Sequence, residues 1–257
     1  MVSGDDAGDE RLHQSLGALA RLETGRLGLL GTLTRVAELA VQALPEADGA
    51  GLTLLEENRP DTLVATADFV SEVDTIQYGI GQGPCISAAA EARTMQSNSL
   101  GGDGRWPQFG AKVSRLNVHS ALSLPLVTGD GVVGAMNIYA RAKGAFSPRT
   151  VGLGELFAAP AAIAVRNAAV LAHANRLAEQ LQLALESRAV IDQAIGVLMG
   201  SRGCSADEAL AALRSESQSR HEKLNVVAQT VVDQGIRRAR SRLRAQRDHP
   251  GEKDQSE

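Results

Sequence analysis

Aromatic residues are scarce in this chain of 257: one Trp, two Tyr and four Phe make up 3% of it. Between Ser187 and Asp233 there is none. An RNA binder that splays out single-stranded bases offers aromatic platforms to stack them on, so nucleic-acid recognition by that segment would rest on hydrogen bonds and the shape of a folded partner. Cysteine is as rare: Cys85 and Cys204, far apart in sequence, form neither a disulfide framework nor a zinc set. Positive charge is not in excess. Lys and Arg number 26 against 30 Asp and Glu, a net charge of −4, which argues against a general nucleic-acid coat or a membrane-surface protein. The longest apolar run, Leu156 to Val165, is half a membrane span and contains Pro160. The opening MVSGDDAGDE is acidic and lacks the basic and apolar regions of a signal peptide. These absences predict a cytoplasmic protein with no membrane partner. The five histidines are scattered, and no nucleophile elbow, HExxH or Walker loop occurs. No catalytic residue, metal or cofactor is expected, and the chain is not read as an enzyme.

What is present is concentrated at the C-terminal end. From Ser187 to Asp233 the sequence predicts three amphipathic helices. Val190, Ile191, Ala194, Ile195 and Leu198 make one helical face, and Gly200 and Gly203 end it. Ser205 with Glu208 is a capping box that opens a helix burying Ala209, Leu210 and Leu213. Leu224, Val227, Ala228 and Val231 form the third stripe. So small a bundle has a thin core, leans on a partner or neighbouring domain, and makes a binding surface rather than a catalytic pocket.

The particular residues here are Ser187-Arg188, Ile191, Gln193-Ala194, Gly196 and Leu198-Met199, then Cys204-Ser205, Glu208-Ala209 and Leu213, then Ser217, Lys223-Leu224, Val227-Ala228 and Val231-Val232. In this order and spacing they closely resemble the ANTAR domain, the RNA-binding module of bacterial transcription antiterminators. The resemblance spans 47 contiguous residues without a gap. It departs at Ala194-Ile195-Gly196, where many members carry AKG, so a cation able to meet phosphate is an aliphatic here. Between Ser187 and Asp233, five basic residues stand against six acidic ones. Downstream, Ile236–Arg247 carries six arginines and no acid, either a phosphate-gripping arm or a solvated tail. Arg188, Gln193, Arg214, Ser217, Arg220, Lys223 and Asn225 are the candidate RNA-facing positions, with Arg188 at a heptad-like core position.

In the first two-thirds, a helical stretch from Leu12 to Leu44 is broken near Gly25–Gly31. The period then becomes two. Ala50–Leu55 and Leu63–Ala67 read as paired strands, and Ser120–Val127 and Val132–Tyr139 flank the hairpin signal Thr128-Gly129-Asp130-Gly131. Between the pairs lies an irregular glycine-rich segment, Tyr78 to Pro107, with one short helix near Ile86–Ala92. Ser147-Pro148 starts the next helix. The order predicts an α+β domain with one antiparallel sheet.

Gly81–Cys85 (GQGPC), Arg105–Phe109 (RWPQF), Ser120–Leu126 (SALSLPL) and Gly134–Ala140 (GAMNIYA) make this block similar to GAF domains, in particular those preceding ANTAR modules in actinobacterial regulators. The resemblance implies a small-molecule pocket between the insert and the sheet, with Cys85, Trp106 and His119 as candidate lining residues. Asn98-Ser99-Leu100 departs from relatives that carry acidic residues there. Neither the Cys-His pair that attaches tetrapyrroles nor the NKFDE pattern of cyclic-nucleotide sites occurs. His119 is the one histidine near the sheet, as a haem ligand or as a structural residue. Cys85, at a helix start, is either a reactive thiol or a small packed residue. Gly81 and Gly83 are read as serving backbone geometry, not phosphate.

Leu171, Ala174, Ala178, Leu181 and Leu185 step by three or four along a stretch free of Gly and Pro, the pattern of a short coiled-coil seam. The phase continues through Arg188 to Ile191, Ile195 and Leu198, so one helix is expected to join the two domains and to support a homodimer. The expected organisation is a disordered terminus (1–10), a GAF sensor (11–172), a connecting coiled-coil helix (173–186), a three-helix ANTAR bundle (187–235) and a basic then polar tail (236–257). The family implies a signal-responsive antitermination regulator whose dimer holds two leader-RNA hairpins, with an unidentified small molecule in the GAF domain and no DNA partner. The alternative is a dimeric sensor or adaptor that binds a protein and has lost RNA binding.

Overall fold

The hairpin at Thr128-Gly129-Asp130-Gly131 organises the sensor sheet in the computed structural model, which describes residues 4–56 and 59–248. It joins β4 (Ser120–Thr128) to β5 (Gly131–Ala140), with Gly131 at φ 115, a value that suits glycine. β5 pairs on its other side with β1 (Gly49–Glu56), which pairs with β2 (Arg59–Ala65), and β3 (Met95–Ser97) adds to β4. The result is a five-stranded antiparallel sheet of order β2-β1-β5-β4-β3.

Alternation along each strand gives the sheet two apolar faces. On one, Leu52, Leu54, Leu122, Leu124, Met136 and Ile138 pack with three helices, α1 (Gly4–Ala20), α2 (Thr24–Ala43) and α6 (Pro148–Arg202), through Leu33, Val36, Phe157, Ala161 and Val165. Full burial of a side chain such as Phe157 contributes about 1.5–3 kcal/mol. On the other face, Ala121 and Tyr139 meet α3 (Asp68–Ile80), α4 (Pro84–Glu91) and α5 (Pro107–Val113) through Val70, Val73, Ala88, Phe109 and Val113. This second face carries the cavity described below.

Several elements differ from the sequence reading. The expected disorder over residues 1–10 gives way to helix from Gly4; residues 1–3 lie outside the described residues. Leu12 and Leu19 bury themselves in the sheet-facing core, and Asp9 pairs with Arg149 at 3.0 Å, so α1 has tertiary support that local sequence does not reveal. The break near Gly25–Gly31 is a kink at Gly28 (φ 68) inside α2. Strand β3 within the Tyr78–Pro107 insert, and helices α3 and α5 on either side of it, were not anticipated.

The chain divides into two units, Met1–Ala174 and Asn175–Glu257. Helix α6 is continuous across that boundary, as its resumed periodicity after Pro160 predicts. Ser147 Oγ caps it by accepting from the Thr150 amide at 3.1 Å. Among the described residues α6 is the one helix long and apolar enough, by length and composition, to cross a membrane. Its apolar stretch nevertheless buries Phe157, Ala158, Ala161, Ala162 and Val165 in the sensor core.

In the second unit α6 ends at Arg202, and Gly203 follows at φ 68; Gly200, expected to help stop the helix, remains inside it. Ser205 and Glu208 form the expected reciprocal capping box at the start of α7 (Ala206–Arg220), with Ser205 N donating to Glu208 Oε2 at 2.8 Å and Glu208 N to Ser205 Oγ at 3.3 Å. His221 turns the chain in the left-handed region at φ 55 into α8 (Leu224–Asp248). Ala194, Leu198, Ala209, Leu213, Val227, Ala228 and Val232 form the core. Ile195, Cys204 and Leu224 pack half-buried against it, so the aliphatic at 195 serves the bundle interior.

Candidate functional site

Two places on the molecule gather candidate site residues, one in each unit. In the sensor unit, a cavity of about 670 Å³ opens between the insert helices and the β4–β5 hairpin. Leu55, Val132 and Ala135 of the sheet and Ile86, Ala89 and Ala90 of α4 give it aliphatic walls. Thr53, Tyr78 and Cys85 supply its polar side, and Asp130 stands beside Gly131 at the hairpin.

The polar side is tied into a buried network. Tyr78 Oη donates to Thr53 Oγ1 at 2.8 Å and lies 3.0 Å from Cys85 Sγ. The Cys85 amide donates to Gln77 Oε1 at 3.0 Å, and that glutamine side chain fills the space a Cβ on Gly83 would need. Gly81 ends α3 at φ 66. Both glycines therefore serve backbone geometry. Alongside, Asp74 Oδ1 accepts from Tyr139 Oη at 2.7 Å and Asn137 Nδ2 at 3.2 Å, and Ser123 Oγ donates to Asn137 Oδ1 at 2.9 Å. Gly51 lies under this carboxylate, where a Cβ would collide with Asp74 Oδ2.

Burial sets the protonation of these groups. It raises Asp74 from 3.8 to about 6, against the hydrogen bonds from Tyr139 and Asn137 that favour the carboxylate. Burial first, and the nearby Asp74 charge second, push the Cys85 thiol up to about 11. A helix N-terminus lowers a thiol's pKa and apolar burial raises it, and here burial is the larger effect. Cys85 is enclosed and held protonated, so the packed reading of this cysteine prevails over the reactive one.

Of the three pocket residues expected from sequence, only Cys85 lines the cavity. Trp106 is a buried anchor of the insert: its Nε1 donates to Ser87 Oγ at 2.9 Å, and the Arg105 guanidinium lies 4.3 Å over its ring. Arg105 is in turn gripped by Asp103, whose carboxyl it pulls down to about 2, which explains the RWP string as a structural clamp. His119 is half-buried at the start of β4, with Nε2 3.2 Å from Asn117 Oδ1, and it too lies away from the cavity. Sequence reasoning missed Thr53, Tyr78 and Asp74. Alternation along β1 could have placed Thr53 on the same face as Gly51, but α3, which carries the other two, was not foreseen.

In the second unit the candidate RNA positions separate into two groups. Ser217, Arg220, Lys223 and Asn225 surround the α7–α8 turn, with Arg214 one turn earlier on α7. Ser217 is engaged in that turn, its hydroxyl donating to the Glu222 carbonyl at 2.6 Å. Arg220 pairs with Glu216 at 2.6 Å. Arg188 and Gln193 are apart from these on α6, and both are exposed. In the single chain the Arg188 side chain is 82% exposed, and its partner is Asp192, at 3.9 Å, one turn on. Arg202 was not singled out from sequence. The bundle brings it to a groove of about 340 Å³ together with Arg220, Glu216, Thr230 and Gln234, over Leu198 and Leu213. Arg237, Arg238, Arg240, Arg242 and Arg244 stand exposed on the helical extension of α8; the side chain of Arg247 lies outside the described residues.

Among the described residues no group of three or more His, Cys, Asp or Glu is placed to hold a metal ion. No curated protein matches the chain. Similar solved structures include the Thermoplasma acidophilum type II free methionine-R-sulfoxide reductase, at 14% identity and TM-score 0.40, covering 54% of this chain and 93% of that one. They also include the GAF domain of a Coxiella burnetii phosphoenolpyruvate-protein phosphotransferase, at 16% identity and TM-score 0.49, covering 65% and 98%. A third, the Neisseria meningitidis free methionine-R-sulfoxide reductase in complex with its substrate, has 13% identity and TM-score 0.47, covering 66% and 96%. The GAF domain family matches residues 28–166, more than half of the chain, and the ANTAR domain family matches residues 179–232. The chain therefore belongs to the GAF domain family and carries an ANTAR domain behind it, the arrangement of a GAF–ANTAR regulator.

Proposed function

We propose that this protein is a cytoplasmic, signal-responsive antitermination regulator: a small molecule held in the GAF cavity governs how a dimer of ANTAR bundles captures two hairpins of a leader RNA and so prevents terminator formation. It performs no catalysis; the chemistry of its sites is recognition. The observation that carries the RNA reading is the course of α8. One unbroken helix runs from the bundle core at Val227, Ala228 and Val232 into five exposed arginines between 237 and 244, with no acid among them. Helical continuity fixes their spacing relative to the bundle, so a phosphate backbone and a hairpin loop can be engaged together. The absence of aromatics in the bundle favours recognition of loop shape and base edges over stacking.

The dimer reading rests on the apolar surface of α6. In the sensor unit, Leu156, Ile163 and Val170 are exposed at seven-residue intervals, at 62%, 59% and 57%. In the second unit Leu177, Leu181 and Leu185 are exposed as well. A second copy would cover both sets by helix pairing. Signal transfer then requires a ligand that binds two arrangements of the dimer with different affinity.

A gel shift of full-length protein on a dual-hairpin leader RNA, beside the same RNA with its loop bases changed, tests this assignment. Retardation that depends on the loops and strengthens with dimer concentration is the expected result. Equal retardation of both RNAs, or none, overturns it and leaves a dimeric adaptor for a protein partner, the reading to which Ile195 and the acid-balanced bundle would then belong.

A further inference from the structure

The cavity beside Tyr78 has a chemistry selective enough to name the class of molecule it takes. Its walls are aliphatic, from Leu55, Ile86, Ala89, Ala90, Val132 and Ala135. Among the described residues, no Lys, Arg or His lines it. Among the described residues its one charged lining residue, Asp130, has a side chain 65% exposed and already pairs with Arg166. A carboxylate or phosphate entering this space would give up water without meeting a cation among those lining residues, which disfavours it. The buried Asp74 near Tyr78 and Cys85 adds to that penalty. An ammonium group would find on the cavity wall, among the described residues, one carboxylate, exposed and already paired with Arg166, while Asp74 lies behind the lining residues and is held by Tyr139 and Asn137.

At the polar side Thr53, Tyr78 and Cys85 all line the cavity, and Tyr78 is the half-buried one of the three. Its hydrogen is directed to Thr53 Oγ1 and one side of its oxygen faces Cys85 Sγ. A phenolic oxygen both donates and accepts, so what it offers the cavity is acceptor capacity. We propose that the GAF cavity binds a small uncharged organic molecule with an apolar body and one hydroxyl, an alcohol or a phenol, whose O–H donates to Tyr78 Oη. This inference rests on the ligand-sensing reading above and narrows it. It sets aside nucleotides, carboxylic acids and amines as the signal. A cavity of about 670 Å³ falls in the range of small-molecule sites.

The test is ligand-observed fluorine NMR on the full-length protein with three probes of one size: 4-fluorophenol, 4-fluorotoluene and 4-fluorobenzoate. Saturable binding of the phenol is expected, roughly three- to tenfold tighter than the toluene, the effect of one net hydrogen bond, with the benzoate far weaker than either. Tyr78→Phe should bring the phenol down to the level of the toluene and leave the toluene unchanged. Ala89→Phe, which fills the cavity from α4, should weaken both, and thermal melts would confirm that each variant is folded. Benzoate binding as tight as the phenol, a phenol preference surviving Tyr78→Phe, unchanged binding in Ala89→Phe, or no binding of any probe would overturn the proposal. None of these outcomes bears on loop-dependent RNA retardation, so failure here and failure of the RNA reading are separable.

Discussion

Asp74 and Tyr139 share a 2.7 Å hydrogen bond beneath α3, where both side chains are enclosed. The carboxyl also accepts from Asn137, and no cation is among the groups that set its protonation. Desolvation therefore wins over the hydrogen bonds, and the folded-state pKa rises from 3.8 to about 6. A carboxyl shifted in this direction adds stability below pH 3.8 and loses it as pH climbs through 6, a span worth roughly 3 kcal/mol.

Asp74→Asn keeps an oxygen for Tyr139 and Asn137 to donate to, and it cannot ionise. The variant should melt close to the parent at pH 4 and above it at pH 7, with the gap opening between those values. Thermal melts across that range check it. A parent whose stability rises from pH 4 to 7 relative to the variant would show that the carboxylate is better compensated than its surroundings indicate.

In the second unit, Gly235 lies where a Cβ would come 2.9 Å from Val197 Cγ1. A glycine inside a helix costs about 1 kcal/mol relative to alanine, and here it allows close approach of α8 to α6. Gly235→Leu should lower the stability of the bundle by about 1–3 kcal/mol through overpacking. Val197→Ala in the same chain should recover part of the loss. Hydrogen exchange of the bundle amides reads the effect locally, and unchanged protection in Gly235→Leu would mean the helices yield without strain.

How much of this was legible in the sequence varies with the range of the interactions involved. The capping box at Ser205, the hairpin around Asp130 and the stripe at Val227, Ala228 and Val231 are local patterns, and each folds as read. Strand β3 is three residues long and is defined only by pairing with β4, a partner some 25 residues away in sequence. Its signal is not local. Helix α3 alternates buried and polar positions so that Asp74 and Gln77 face inward, which breaks the apolar stripe a helix reading depends on. Missing α3 meant missing Tyr78 and Asp74, hence most of the cavity's polar side. Trp106 was assigned to the pocket through the family resemblance; its partners, Ser87 and Arg105, make it an anchor.

Leu177 and Leu181 are exposed apolar residues on α6, one turn apart. Replacing both with Glu puts like charges into any helix pair formed there. The double variant should sediment as a monomer while the bundle keeps its melting temperature. RNA affinity should then fall by about 10²–10⁴, since two tethered binding events become independent ones. Sedimentation and gel shift on the same preparation decide the matter. A dimer that persists places the self-association elsewhere on the chain.

Arg237, Arg240 and Arg244 follow one another at spacings of three and four along α8, which sets them on one helical face. All three are exposed, and they lie beyond the bundle core, whose last buried residue is Val232. Changing the three to Gln therefore leaves the fold intact. If they meet phosphates, each releases counterions on binding, and the slope of log affinity against log salt should become shallower by about 2–3 in total. Loop selectivity should persist, because phosphate contacts position the protein and base edges specify the sequence. A titration from low to high salt on wild-type and loop-changed RNA separates the two roles. An unchanged slope would make the arginine extension a solvated helix and confine RNA binding to the α7–α8 turn and the Arg202–Arg220 groove.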